Sequence, residues 1–276
     1  MLSAQNSSEI EAKNLQTDSN FMKNPQNILI TGASSGIGKA LAIAYSKPNV
    51  NLFLCARNKE KLFATKKLCE ELKANVYCEI LDVKNEEATK NYIAKIEETH
   101  QLDLIIANAG ISAGTADGTE SFAQVQEIFA TNLHGVLNTI HPAIEKMKLR
   151  KRGQIAIISS LAGFRGLPSS PAYSASKSAV RVYAESLRGN LANFGIEVNA
   201  ICPGYIKTPM TDINEFPMPF LMSAEKCAKI IKRGLEKNKS RIAFPFALYF
   251  VVWLAALLST KITDPIFAKL PGKKSL

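Results

Sequence analysis

One short stretch narrows the fold more than any other. Asn27-Ile28-Leu29-Ile30-Thr31 is an apolar run that stops abruptly at Gly32-Ala33-Ser34-Ser35-Gly36-Ile37-Gly38, and a helical pattern follows from Lys39 to Ser46. Strand, glycine-rich turn and helix in that order place a set of free backbone N–H groups and the positive end of a helix dipole at one point. Glycine lets the chain turn sharply there and lets phosphate oxygens approach the backbone. The arrangement suits the pyrophosphate of a dinucleotide, although the spacing Gly-x-x-x-Gly-x-Gly differs from the commoner Gly-x-Gly-x-x-Gly. Ser34, Ser35 and Ile37 fall within the turn and join Gly32, Gly36 and Gly38 as candidate cofactor contacts.

The pattern then repeats in outline. Asn51–Ala56 reads as a second strand, Lys59 to Lys73 as an amphipathic helix, Val76 to Leu81 as a third strand and Lys84 to Thr99 as a helix. Leu102 to Ile106 is a fourth strand, Phe122 to Met147 one long helix containing Gly135 and Pro142, and Gln154 to Ile158 a fifth strand. A helix that carries Tyr173 and Lys177 and continues to about Asn193, a strand from Ile196 to Ile201 and a last strand within Ser240 to Pro245 complete the series. Strands alternating with helices, and no internal repeat, give an α/β fold: a Rossmann-type doubly wound parallel sheet in a single domain. Ligands of such sheets lie beyond the carboxyl ends of the strands. Gly32 to Gly38, Arg57-Asn58, Asp82-Val83, Asn108-Ala109-Gly110, Ser160 and Pro203 to Thr208 all fall on that rim.

At the end of the second strand, where the adenosine ribose would lie, the chain has Cys55-Ala56-Arg57-Asn58 and no acid. A guanidinium accommodates the 2′-phosphate of NADP, whereas an acid would accept from the 2′-hydroxyl of NAD. NADP(H) is therefore the preferred cofactor and NAD(H) the alternative; the competing reading of Arg57 is an exposed residue at a strand end.

Tyr173 and Lys177 are four residues apart and share a helix face. A nearby positive charge favours a phenolate and brings a tyrosine toward the range useful for proton transfer. Such a pair also occurs as a half-buried ring and a solvated amine. Ser160 lies before a Gly-, Pro- and Ser-rich stretch that can fold its hydroxyl back beside the phenol. Asn132 stands in mid-helix, where Asn is disfavoured unless its side chain has a partner.

Thr31-Gly32-x-x-x-Gly36-x-Gly38, Asn108-Ala109-Gly110, Asn132, Ser160, Tyr173-x-x-x-Lys177 and Pro203-Gly204, in that order over roughly residues 25 to 210, resemble the classical short-chain dehydrogenase/reductase family. The resemblance implies an NADP-dependent oxidoreductase that interconverts a ketone and a secondary alcohol by hydride transfer. It implies that Tyr173 exchanges a proton with the substrate oxygen and that Ser160 holds that oxygen. Lys177 would lower the Tyr173 pKa and bind the nicotinamide ribose, and Asn132 would carry a water in a proton relay. Asp82 and Val83 would border the adenine, and Ile206 and Thr208 the carboxamide and phosphates. Family members are commonly dimers or tetramers and need no metal for the chemistry. Two alternatives stand beside this reading: a 3-oxoacyl-thioester reductase of fatty-acid metabolism, and a non-catalytic NADP-binding sensor or scaffold.

The chain departs from the family pattern at its carboxyl end. Met210 to Met222 is Pro-rich and apolar where the family has a substrate loop, and Phe216 and Phe220 are candidate contacts for an apolar or lipid-like substrate. Lys226 to Arg241 holds seven basic residues and one acid, and Ala243 to Leu258 is a run of sixteen uncharged residues followed by Lys261, Lys269, Lys273 and Lys274. The run is shorter than the ~20 residues of a membrane span. It reads equally as a core or oligomer-interface helix and as a helix lying in a membrane surface, with a true span the weakest option. The net charge of +10 does not interleave with stacking aromatics as in a nucleic-acid groove, so no nucleic-acid partner is expected.

The expected organisation is a flexible polar leader over 1–24, a catalytic domain over 25–245 and an apolar, basic extension over 246–276. The leader lacks an apolar segment of the secretory type. Five irregularly spaced cysteines read as free thiols, and neither they nor the three histidines form a metal-ligand pattern. The cytoplasm is the expected compartment, with peripheral contact through 243–276 on the cytoplasmic face of a membrane.

Overall fold

The computed structural model describes residues 22–115, 118–269, 273 and 275. The expected leader lies almost entirely outside the described residues. The strands are β1 (Asn27–Thr31), β2 (Asn51–Ala56), β3 (Asn75–Ile80), β4 (Leu104–Ala107), β5 (Gly153–Ile158), β6 (Ile196–Pro203), β7 (Ile206–Lys207), β8 (Met222–Ser223) and β9 (Arg241–Phe244). Seven of them form one parallel sheet in the order β3-β2-β1-β4-β5-β6-β9, and β7 and β8 pair as a small parallel ribbon. The order reverses between β1 and β4, which opens a crevice above the glycine turn.

The helices are α1 (Gly36–Tyr45), α2 (Lys59–Glu71), α3 (Glu86–Thr99), α4 (Phe122–Phe129), α5 (Gly135–Arg150), α6 (Pro171–Leu191), α7 (Pro209–Asp212), α8 (Ala224–Glu236), α9 (Phe246–Leu257) and α10 (Thr260–Phe267). Alternation along the strands feeds two cores. Ile28 and Ile30 pack with Leu41, Leu62 and Ile231 from α1, α2 and α8. Leu29 faces the other way, into a cluster with Ile93, Ile140 and Val180 from α3, α5 and α6. Strands covered on both faces read as unbroken apolar runs, which is why β1 and β2 match the sequence reading to the residue.

The long helix expected from Phe122 to Met147 is broken. Between α4 and α5, Ala130–His134 runs as a five-residue π turn. The wider turn rotates Asn132 inward, where it is fully buried and hydrogen-bonded outside its own helix. Pro142 is accommodated inside α5.

The apolar run forms α9, and none of its twelve residues is buried; it is not a core helix. No helix among the described residues is long and apolar enough to cross a membrane. α9 and α10 instead lie beside the catalytic end of the sheet. Tyr249 Oη accepts from Arg241 Nη1 at 3.2 Å, and the Tyr249 ring meets Phe164 edge-on at 5.4 Å. Arg165 donates to Thr263 Oγ1, pairs with Asp264 and covers the Phe267 ring, which ties α10 to the loop ahead of α6.

Candidate active site

The crevice at the sheet's switch point has a volume of about 330 Å³. Its floor is the glycine turn. Gly36 has φ +53°, and a Cβ there would fall 2.9 Å from Thr208 Cγ2. Gly38 does not line the crevice; a side chain at that position would sit 2.4 Å from the Gly32 carbonyl, so it is there for close packing. Ser35 caps α1 without a side-chain hydrogen bond, which leaves the first N–H groups of the helix available to an anion.

The walls come from the other strand ends. Asn108 donates through Nδ2 to the carbonyls of Thr31 at 2.9 Å and Gly32 at 3.2 Å, while Thr31 Oγ1 accepts from the N–H groups of Asn108 and Ala109. The Asn108 side chain thus fastens β4 to the glycine turn. Arg57 is exposed at the crevice edge. Asn58 lines it too, but its Oδ1 accepts from Lys61 N–H and caps α2. Asp82 and Val83 follow on the same edge, and Pro203, Gly204, Ile206 and Thr208 close the far side. Sequence reading missed Thr131 and Pro209, which also border the crevice, and Met210 and Thr211, read as the start of the substrate loop, border it too.

α6 begins with Pro171, and its first two turns bring Tyr173 and Lys177 against the end of β5. Lys177 Nζ donates to the Ile158 carbonyl at 3.0 Å and lies 5.9 Å from the centre of the Tyr173 ring. Ser159 Oγ donates to the Lys177 carbonyl at 2.6 Å, and Gly163 packs so closely that a Cβ would fall 2.7 Å from that carbonyl carbon. Ser160 Oγ accepts from the Ala162 N–H at 3.1 Å and faces the phenol.

The electrostatics differ from the sequence expectation. Burial raises the Tyr173 pKa above its usual value, with the Ser160 hydroxyl acting in the opposite sense. The reason is shared desolvation: the same enclosure pushes the Lys177 ammonium down to about 8. At neutral pH the phenol therefore carries its proton.

Asn132 does not reach the crevice. Its Oδ1 accepts from Ile111 N–H at 2.8 Å, and its Nδ2 donates to the Ile111 carbonyl at 2.9 Å and to Ser176 Oγ at 3.2 Å. Gly110 sits between it and the lysine; a Cβ there would meet Asn132 Oδ1 at 3.1 Å and Lys177 Nζ at 3.3 Å.

A second cavity of about 590 Å³ opens on the other side of Tyr173. Its walls are apolar: Leu161, Leu167, Phe216 and Pro217 from the loops, with Leu248, Val252, Ala255 and Phe267 from α9 and α10. Phe216 is in place, its ring edge-on to Tyr205 at 6.3 Å. Phe220 is not; it lies outside the cavity, 59% exposed, on a residue with φ +59°. Lys273 enters the chamber, with Nζ donating to Ser112 Oγ at 2.6 Å and lying 5.8 Å from the Tyr173 ring centre. Burial holds its ammonium down to about 8. Nothing in the spacing of Ser112, Arg165 or Lys273 announced this position. Tyr173 and Ser160 border both cavities, so their hydroxyls stand where the two meet.

Hydroxyl and backbone donors beside the helix terminus, an exposed guanidinium and a flat-walled recess fit a dinucleotide: phosphates at Ser34 to Ile37, the adenosine end at Arg57 to Val83, and a flat ring between Gly110 and Pro203. Among the described residues no group of His, Cys, Asp or Glu is arranged to hold a metal ion, and all five cysteines are free thiols.

Residues 26–216 match a family described as short chain dehydrogenase. An uncharacterized oxidoreductase of Myxococcus xanthus is 35% identical over 86% of this chain and 94% of its own length. A 3-oxoacyl-[acyl-carrier protein] reductase from Brucella melitensis with bound NAD is 27% identical, with a TM-score of 0.68 over 79% of this chain and 88% of that one. The structure of ElxO with NADP bound is 29% identical, with a TM-score of 0.70 over 79% of this chain and 97% of that one. The matched family segment stops before α8, α9 and α10.

Proposed function

The chain belongs to the short chain dehydrogenase family, and from that premise we propose an NADP(H)-dependent enzyme that interconverts ketones and secondary alcohols on apolar substrates. The observation that carries this reading is the position of Tyr173 and Ser160 at the junction of a dinucleotide-shaped crevice and an apolar chamber. A substrate lying in the chamber presents its oxygen to both hydroxyls, with its reacting carbon toward the crevice.

A nicotinamide held in the crevice would supply or accept the hydride. The residues of this chain manage the oxygen. In reduction, the π bond of the C=O group breaks, the C–O single bond remains, and a C–H and an O–H bond form; the hydride would form the first, and the Tyr173 proton forms the second, leaving a tyrosinate that takes a proton back from solvent. Ser160 donates a hydrogen bond to the oxygen as negative charge develops there. Tyr173 is suited to the donor role because burial keeps it protonated. Lys177 is anchored on the Ile158 carbonyl, beside the tyrosine, and binds and orients the ribose. Arg57 supports the choice of NADP because it is exposed at the adenosine end and free to meet a phosphate.

Reduction of a 3-oxoacyl thioester is the second reading. It is favoured by the volume and apolar lining of the chamber, which suit an acyl chain, and by the 3-oxoacyl reductase activity of the Brucella melitensis protein.

The test follows NADPH oxidation at 340 nm with a panel of ketones and 3-oxoacyl thioesters of increasing chain length. Tyr173→Phe should abolish turnover while retaining NADPH binding by fluorescence titration. Turnover that survives in this variant overturns the mechanism, and binding without turnover on any substrate leaves the sensor or scaffold reading standing instead.

A further inference from the structure

The surface of α9 and α10 is built in a way that the catalytic reading leaves unexplained. Nine large apolar side chains are exposed between Phe246 and Ile266, among them Phe246 at 75%, Leu257 at 65% and Ile266 at 61%. Apolar patches of this kind on a folded surface mark interaction sites. The patch is not loose chain. Arg241 and Phe164 hold Tyr249, and Arg165 holds Thr263, Asp264 and Phe267. The two helices are fixed with their apolar sides outward.

Charge selects the partner. Between Ala243 and Leu276 the side chains include four lysines and one acid. That acid, Asp264, is paired with Arg165, while Lys261 and Lys269 are exposed. The apolar face is thus bordered by positive charge that, among the described residues, has no acidic partner. Two copies meeting through it would bring these lysines together, whereas an anionic lipid surface neutralises them at roughly 1 kcal/mol per lysine. The chamber points the same way. Phe250, Val251, Leu254, Leu258 and Ile266 are exposed on the patch and also line the chamber. A protein seated there would stop the mouth of the site; a bilayer would feed it. α9 has twelve residues, about 18 Å of helix, enough to lie in the interface and too short to cross it.

We propose that α9 and α10 are a docking surface for an anionic lipid bilayer, and that the apolar chamber draws its carbonyl or alcohol substrate from that bilayer. The second half rests on the oxidoreductase reading above; the first half does not.

The full chain is mixed with vesicles of pure phosphatidylcholine, or of phosphatidylcholine with 30 mol% phosphatidylserine, without cofactor or substrate. The protein's single tryptophan is Trp253, so its emission reports the patch directly. Expected are co-sedimentation and a blue shift with the anionic vesicles, weakened about tenfold or more in 0.5 M salt, where the Debye length shrinks to about 4 Å. The double variant Phe246→Glu, Leu257→Glu lies outside the chamber lining and should lose vesicle binding while keeping turnover of a water-soluble ketone. Absence of co-sedimentation and of any shift overturns the proposal. So does a stable dimer, seen by light scattering, that the double variant dissociates. Vesicle binding without reductase activity on any substrate keeps the docking surface and removes the oxidoreductase reading. Turnover that vesicle-embedded long-chain ketones do not enhance removes delivery from the bilayer.

Discussion

Asn132 grips Ile111 by both of its backbone polar groups, accepting from the N–H at 2.8 Å and donating to the carbonyl at 2.9 Å. The π turn exists around this contact: it places a fully buried amide where a regular helix would have pointed it along its own surface. Ile111 follows Asn108-Ala109-Gly110, so the amide holds the loop that forms one wall of the cofactor crevice.

Asn132→Ala leaves the half-buried Ile111 N–H and carbonyl without that partner, at a cost toward the lower end of about 1–3 kcal/mol for each group. The expected result is a loss of roughly 3 kcal/mol in urea unfolding together with weaker NADPH binding. Asn132→Asp keeps an acceptor but loses the donor, and should fall between the two. Unchanged stability with lost turnover would mean that the side chain acts in the chemistry and not in holding the loop.

The proposed preference for NADP rests on Arg57. Removing one charge-assisted contact with a 2′-phosphate costs about 1.5–3 kcal/mol, so Arg57→Ala should weaken NADPH about ten- to a hundredfold and leave NADH unchanged. Titration of both cofactors by nicotinamide fluorescence measures the ratio. Equal losses for NADPH and NADH would show that Arg57 serves the strand end alone.

Burial of Lys177 gives stability a pH dependence with a definite sign. Its pKa is about 8 in the folded chain against the ordinary 10.5. Below pH 8 the amine is charged both folded and unfolded, and the full cost of burying the charge is present. From pH 8 toward 10 the folded chain has released its proton while the unfolded chain still holds one, so stability rises with pH. The gain is roughly 2 kcal/mol between pH 8 and 9.5. Lys273 acts in the same direction; the thiols of Cys55, Cys69, Cys78, Cys202 and Cys227, all raised by burial from 9.0, oppose both as pH approaches and passes 9, and the raised Tyr173 does so above its ordinary value of 10. The Lys177 contribution is read as a difference: in urea unfolding at pH 7.5 and 9.5, the stability of Lys177→Met relative to the parent chain should fall as pH rises, and a difference that does not change with pH would overturn the assignment.

Much of the fold was legible because its signals are local. A parallel strand buried on both faces is an apolar run, and β1 and β2 could be bounded from Asn27, Thr31, Asn51 and Ala56 alone. The site was legible where chemistry demands fixed spacing on one element, as with Tyr173 and Lys177. It was not legible where tertiary contact decides. The Tyr173 pKa depends on enclosure by distant loops, and its direction came out opposite to the effect expected of Lys177. Phe216 and Phe220 look alike in sequence, yet a left-handed backbone at Phe220 turns its neighbourhood outward. The apolar run gave no sign that its inner side would wall a chamber and its outer side remain uncovered, because a helix apolar all round has no face to read.

Lys273 makes the last prediction. Its Nζ stands in the chamber, hydrogen-bonded to Ser112 and, among the described residues, without a carboxylate partner. An uncharged apolar substrate that fills the chamber strips the remaining water from this ammonium, and the cost appears as weaker binding. Lys273→Met keeps most of the side chain's volume and removes the charge. It should lower KM for long uncharged ketones several-fold, leave NADPH affinity as it was, and have little effect on short ketones that do not reach Ser112. Substrates with an acidic group at the reach of Nζ should respond in the opposite way, with a raised KM, because for them the ammonium is a partner. Comparing steady-state KM for a neutral ketone and an oxo-acid of equal chain length in the two proteins separates these cases, and identical ratios would remove Lys273 from the substrate's surroundings.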